Sequence, residues 1–247
     1  MKAASPGVGL AGWLRKNFFF AMACAIVAIV IYGFSRTFAA DLIYPPYPRP
    51  WILYVHATLF PLWVLLFLTQ TALVRSRNVD LHRRVGVFGL VIGTLLPIVA
   101  IATAVIMDRL HIAHGEQIDF FVPFFIVHIN DMTAFIILFG LAAINRTKPE
   151  LHRRLMFVAT CVLTDAAFDR FPAFRDNHPA LALAIAYACV DLLVLCGAAR
   201  DWIVDKRVHP VYRFALPALV AGQVVTTVLF ATAPPWWLAI SHALIGA

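Results

Sequence analysis

The chain has 247 residues, 62% of them hydrophobic and only 13% charged, with a mean hydropathy of +0.84. A soluble domain carries roughly a quarter charged residues, so this composition excludes an ordinary soluble globular protein. The net charge of +7 comes from cations in short segments between apolar runs, a topology signal, which excludes a nucleic-acid-binding face.

Apolar runs of about 20 residues match a hydrocarbon core of roughly 30 Å. In chain order they predict seven helices, over 17–37, 51–74, 86–107, 120–144, 154–171, 180–199 and 212–232. The first run ends in RTFAAD (36–41), whose small residues could serve as a signal-cleavage site. Its apolar length of about 20 exceeds the usual 7–15 and predicts a retained span; cleavage would leave six. Breakers and polar residues separate the later runs, as in YPPYPRP (44–50), RSRNVD (75–80) and NRTKPE (145–150). The tail 233–247 is too short to cross again, and Trp236 and Trp237 are expected at the outer interface.

Orientation follows from the cations. An N-terminus inside puts 15 Lys and Arg, from Lys2 to Arg213, on the inner side and only Arg36, Arg49, Arg109, Arg170 and Arg175 outside. The predicted fold is an all-α polytopic membrane helix bundle, N-in and C-out. It forms a single transmembrane domain over 1–247, with a core four-helix bundle at about 51–171 and peripheral helices 17–37, 180–199 and 212–232. The four cysteines (Cys24, Cys161, Cys189, Cys196) fall inside predicted spans without a CxxC, which supports neither a disulfide framework nor a structural zinc site.

The chain repeats itself. LVRSRNVDLHRRVG (73–86) and AINRTKPELHRRLM (143–156) each join an inward-running span to an outward-running one and share the tetrad LHRR. This reads as a duplicated two-helix hairpin, and in such proteins sites form between the repeats.

Ionisable groups at membrane depth are expensive unless paired or ligated, which makes them site candidates. At about 1.5 Å per residue, His56 lies about 8 Å into the second span from the outer side. His128 and Asp131 lie about 12–16 Å into the fourth, and Asp165 and Asp169 fall in the last two turns of the fifth. His56, His128, Asp131, Asp165 and Asp169 are therefore expected to converge in the outer half, each i,i+3 or i,i+4 pair sharing a helix face. A second constellation, His82 and His152, stands at the inner ends of outward-running helices, each followed by two arginines. Both sets have a plain structural reading beside the functional one. The aspartates pair with Arg170, the histidines bond across helices, and HRR anchors the inner boundary.

Gln70, Arg75, Arg77, His82, Arg83 and Gly86 resemble a signature of bacterial multi-pass proteins, Q-x-x-L with basic residues before H-R-x-L-G, over about residues 51–170. That resemblance implies a bacterial inner-membrane location and no particular chemistry. A second resemblance is to the diheme transmembrane cytochromes b that carry electrons from ascorbate across a membrane. It implies heme b held by His56 with His128 toward the outside and by His82 with His152 toward the inside, with Arg83, Arg84, Arg153 and Arg154 available to an anionic group. Two departures stand against it: His82 and His152 sit at the span boundary, and aligning the LHRR tetrads matches position 56 to Ile126 instead of His128.

Three functional readings remain open from sequence. One is a heme- or metal-binding electron-transport protein. Another is a membrane-embedded enzyme using zinc, iron or Mg²⁺ at His56, His128, Asp131, Asp165 and Asp169 on a lipid or isoprenoid substrate. The third is a transporter using Asp131, Asp165, Asp169 and Asp191, or an assembly subunit of a larger membrane complex. The partners expected are the lipid bilayer and a quinone, a lipid or another membrane subunit, with no nucleic acid. A retinal protein is excluded, because the four lysines (Lys2, Lys16, Lys148, Lys206) all lie in loops or the tail.

Overall fold

Proline and asparagine mark where most of the helices begin. A proline occupies the first turn of five of them, where its missing N–H has no intrahelical acceptor to satisfy. The Asn78 side chain caps another by accepting from Leu81 N at 3.3 Å. The computed structural model describes residues 9–116, 118–175 and 178–246. Lys2 and the Arg175 side chain, both used in the orientation count, lie outside that description. Among the described residues the chain is helical throughout, with no strand: α1 Leu10–Phe34, α2 Trp51–Arg75, α3 Val79–Ala113, α4 Ile118–Ile144, α5 Pro149–Val162, α6 Asp165–Phe168, α7 Pro172–Arg175, α8 Pro179–Asp205, α9 Pro210–Thr232 and α10 Pro235–Ile245.

Six of these, α1, α2, α3, α4, α8 and α9, are long and apolar enough to cross a membrane. Their outward faces expose large apolar side chains such as Phe88 (68%), Ile98 (62%) and Phe214 (75%), as a lipid-facing surface does. The chain is a multi-pass helical membrane bundle.

The seventh predicted helix is where sequence and structure part. The segment 154–171 is no continuous span. α5 has 14 residues, about 21 Å of helix and short of the roughly 20 residues a crossing needs. It stops at Leu163–Thr164, where the Thr164 hydroxyl donates to the Cys161 carbonyl at 2.6 Å and its amide donates to the same oxygen at 3.0 Å. Such local bonds compete with the helical ladder. α6 and α7 follow as single turns, and Pro172 forbids their fusion.

The broken segment nevertheless meets α1 at points from Phe18 to Phe34. Phe18 and Phe19 meet Phe157 edge-on at 5.8 and 5.9 Å, and the Arg153 guanidinium lies over Phe19. At the far end the Arg170 guanidinium lies 4.5 Å from the centre of Phe34, and Gly33 packs directly against the Ala167 carbonyl.

Helix boundaries also differ: α1 starts at Leu10 instead of 17, α3 ends at Ala113 instead of 107, and α8 runs on to Asp205 instead of 199. α3 starts at Val79, seven residues before the predicted start, because the Asn78 cap and Asp80 in the first turn initiate it ahead of the apolar run. His82 thus belongs to the helix. The tail folds as α10 against α3 and α4. Trp236 is exposed as expected of an interface residue. Trp237 is only 3% exposed and donates from Nε1 to the Pro123 carbonyl at 3.1 Å.

Candidate functional site

The two LHRR tetrads become the opening turns of α3 and α5, and the bundle sets those turns side by side. The His82 and His152 rings lie 6.5 Å apart, centre to centre, at 84° to each other. His152 Nδ1 is 2.9 Å from the Ala142 carbonyl of α4. A carbonyl only accepts, so Nδ1 carries the proton and Nε2 keeps its lone pair. His82 Nδ1 is buried with no hydrogen-bond partner, an orphan of the kind that calls for an explanation.

The arginines of the tetrads are not equivalent. Arg83 and Arg84 are exposed. Arg154 is 2% exposed and grips Asp201 of α8 with two 2.8 Å bonds, with a further bond to Glu150 at 2.6 Å. Arg200 bonds Asp201 and Asp205, each at 2.8 Å. Arg154 is therefore neutralised internally and is not free for an external anion, which corrects the sequence expectation. Arg153 is likewise paired with Glu150.

The outer constellation assembles as pairs. His56 stacks on Phe60 at 4.2 Å, and its Nδ1 is buried without a partner. His128 stands among Phe124 and Phe125, at 5.4 and 6.2 Å. The two imidazoles are electrostatic neighbours, and Arg170 faces both.

Asp131 is 6% exposed. Its Oδ1 accepts from the Tyr187 hydroxyl and from Asn130 Nδ2, both at 3.1 Å. The Asp131 and Asp165 carboxyls are close neighbours in the bundle. Arg170 lies near Asp41, Asp165 and Asp169, and its Nε donates to Thr37 Oγ1 at 3.2 Å. Asp165 and Asp169 do not share an environment. Asp165 opens α6 and is buried, while Asp169 caps its end and is exposed. Asp191 accepts from Gln223 at 3.1 Å, away from these groups on the α8–α9 seam. Among the described residues, no group of three or more His, Cys, Asp or Glu side chains is gathered closely enough to hold a metal ion.

No family model matches the chain, and no curated protein or solved structure matches it.

Several participants escaped the sequence reading. Tyr187 and Asn130 look like ordinary apolar-helix residues until α4 and α8 are packed together. Asp201 and Asp205, i and i+4 at the end of α8, gave a signal that could have been paired with Arg154. A further cluster ties the 44–50 segment to the α3–α4 connection. Tyr47 stacks flat on His114 at 3.9 Å and donates to Glu116 at 2.8 Å, and His111 Nδ1 is 2.6 Å from the other Glu116 oxygen. The Tyr47 hydroxyl and His111 hold the Glu116 carboxyl below its ordinary range, and burial together with Glu116 pushes the Tyr47 phenol up.

Proposed function

We propose that this protein is a multi-pass electron-transport protein of a bacterial inner membrane that binds b-type heme between α2, α3, α4 and α5. His82 and His152 would hold one group at the end that carries the LHRR turns, and His56 and His128 a second toward the opposite face. In this reading α5 and α6 together complete a seventh crossing, with the N-terminus in the cytoplasm and the C-terminus outside.

The observation that carries the reading is the separation of the His82 and His152 rings. Two imidazoles that shared one metal would each hold it through a ring nitrogen at roughly 2.0–2.1 Å, so their rings would have to stand within about 6–7 Å of each other. The pair observed is at 6.5 Å. The tautomer of His152 also suits a ligand. Metal-binding histidines generally donate their other ring N–H to a carbonyl or carboxylate, and here the Ala142 carbonyl takes that part. The buried, unpartnered Nδ1 atoms of His82 and His56 are the polar groups a cofactor would satisfy.

A heme, when bound, supplies one-electron chemistry at a potential set by its axial ligands and surroundings. The chain's own contribution is to present imidazoles from helices, to fix the His152 ring through α4, and to surround the outer pair with Phe60, Phe124 and Phe125. The buried Asp131–Asp165 pair, joined to Tyr187 and Asn130, gives the same half of the membrane a group that can hold a proton.

An absorption spectrum of the detergent-purified protein tests the reading. A reducible low-spin heme spectrum is expected, with His82→Ala or His152→Ala removing about half of the heme and His56→Ala or His128→Ala the other half. A colourless, correctly folded preparation that takes up no added heme would end it.

A further inference from the structure

One groove in the molecule is not part of that centre. It has a volume of about 470 Å³, within the roughly 300–1,000 Å³ of small-molecule sites, and runs between α4, α5 and α9. Its walls are apolar and its floor is kept open by small side chains, Ala134 on α4 and Ala215 and Ala218 on α9. From Asn145 at one end to Asn130 at the other it follows fifteen residues of α4, about 22 Å. Exposed Leu141, Ile137 and Phe214 form its edge, so it opens sideways to the bilayer and takes its occupant from there.

The two ends differ in chemistry. At the deep end Asn130 is already engaged. Its Nδ2 serves Asp131 at 3.1 Å and Tyr187 at 3.5 Å, and its Oδ1 lies so close to Gly222 that a Cβ there would be 2.7 Å away. That end offers a headgroup nothing and suits the tip of a chain.

The mouth is basic. Arg146 follows Asn145, Lys148 precedes the α5 turn that contributes Leu151, and Arg213 stands beside Phe214; all three cations are exposed. The acids of this face are spent on other partners. Glu150 serves Arg153 and Arg154, Asp201 serves Arg154 and Arg200, and Asp205 serves Arg200 and Arg15. Among the described residues none of the three cations at the mouth has an acidic partner. Basic pockets between membrane helices at the headgroup level bind anionic lipid heads.

We infer that this groove is a binding site for an anionic phospholipid, with one acyl chain lying along α4 toward Asn130 and the phosphate held by Arg146, Lys148 and Arg213. The lipid fills the space that the short α5 leaves between α4 and α9 and braces the helix that carries His152. The inference stands whether or not the protein binds heme.

The test uses full-length protein purified in detergent and stripped of lipid. Thermal unfolding is followed with added phosphatidylglycerol or phosphatidylcholine, and retained lipid is identified by native mass spectrometry. Phosphatidylglycerol is expected to raise the unfolding midpoint where phosphatidylcholine does not, and the gently purified protein to carry a single anionic phospholipid. The surface variant R146Q/K148Q/R213Q should fold normally and lose the difference between the two lipids. A218F, which fills the groove, should lose the retained lipid. Equal shifts with both lipids, a retained neutral lipid or quinone, or a phosphatidylglycerol preference that survives in the surface variant would each overturn the site.

Discussion

Arg154 closes a two-pronged ion pair with Asp201, its Nε and Nη2 each 2.8 Å from a carboxylate oxygen. Both side chains are almost wholly buried, at 3% and 1% exposure, and they join the second turn of α5 to the last turns of α8. The pairing shows that the two LHRR tetrads, identical in sequence, divide their labour. One presents its arginines to the surroundings, whereas the other spends an arginine on holding a short helix in place.

Arg154→Met should be strongly destabilising, because it leaves Asp201 buried with only Arg200 to face it. Removing one partner of a buried ion pair typically costs about 3–5 kcal/mol. Arg154→Lys should recover only part of this, since an ammonium cannot reproduce the planar fork. Thermal unfolding in detergent measures both, and a wild-type midpoint for Arg154→Met would refute the account.

Gly33 allows α1 to meet the break after α5. A Cβ at this position would lie 2.3 Å from the Ala167 carbonyl oxygen, a backbone atom, so Gly33→Ala must push α6 away. Overpacking of this kind costs about 1–3 kcal/mol. Gly140→Ala, where a Cβ meets nothing within 4 Å, is the control and should be neutral or slightly stabilising. The two unfolding midpoints, compared directly, decide the matter.

Tyr187→Phe removes one of the two hydrogen bonds to Asp131 Oδ1. Hydrogen bonds between membrane helices average about 0.6 kcal/mol with a maximum near 1.7, so the loss of stability should fall in that range. Asp131→Leu should cost more, because Tyr187 and Asn130 both lose a partner at once. Chemical unfolding of the single variants and of the double variant measures the coupling; strict additivity would show that the groups do not act as a network.

The Tyr47–Glu116 latch should weaken in acid. Glu116 has a folded-state pKa held down by the Tyr47 hydroxyl and by His111. A depressed carboxyl contributes stability above its unfolded value, and that contribution is lost as the pH falls through the folded one. Below the ordinary glutamate value of about 4.3, the 44–50 segment should therefore begin to release from α3. Hydrogen exchange across 44–50 is the readout, and Tyr47→Phe should flatten its dependence on acid. Exchange that is equally slow at neutral and acidic pH would remove the latch from the picture.

The membrane character of the chain was legible from the first because apolar length is a local property. A run of about 20 residues that can satisfy its own backbone only as a helix announces itself without reference to its neighbours. The LHRR tetrads were legible for the same reason, and they led to the close approach of His82 and His152. The break at Leu163–Thr164 was not. Three of the seven residues of DAAFDRF (165–171) are charged, but that alone does not place the break; local hydroxyl bonding at Thr164, the packing of Ala167 on Gly33 and Pro172 divide the segment into separate short helices.

The outer groups follow the same division. Sequence placed His56, His128, Asp131 and Asp165 at similar depth, because depth is counted along a helix. It could not say which of them touch, because that depends on how each helix is rotated about its own axis. The sequence by itself therefore determined that the chain crosses a membrane and which polar groups it carries there. Packing between helices decided which of those groups became partners, since hydrogen bonds and ion pairs form over about 3 Å and a quarter-turn of a helix is enough to make or lose them.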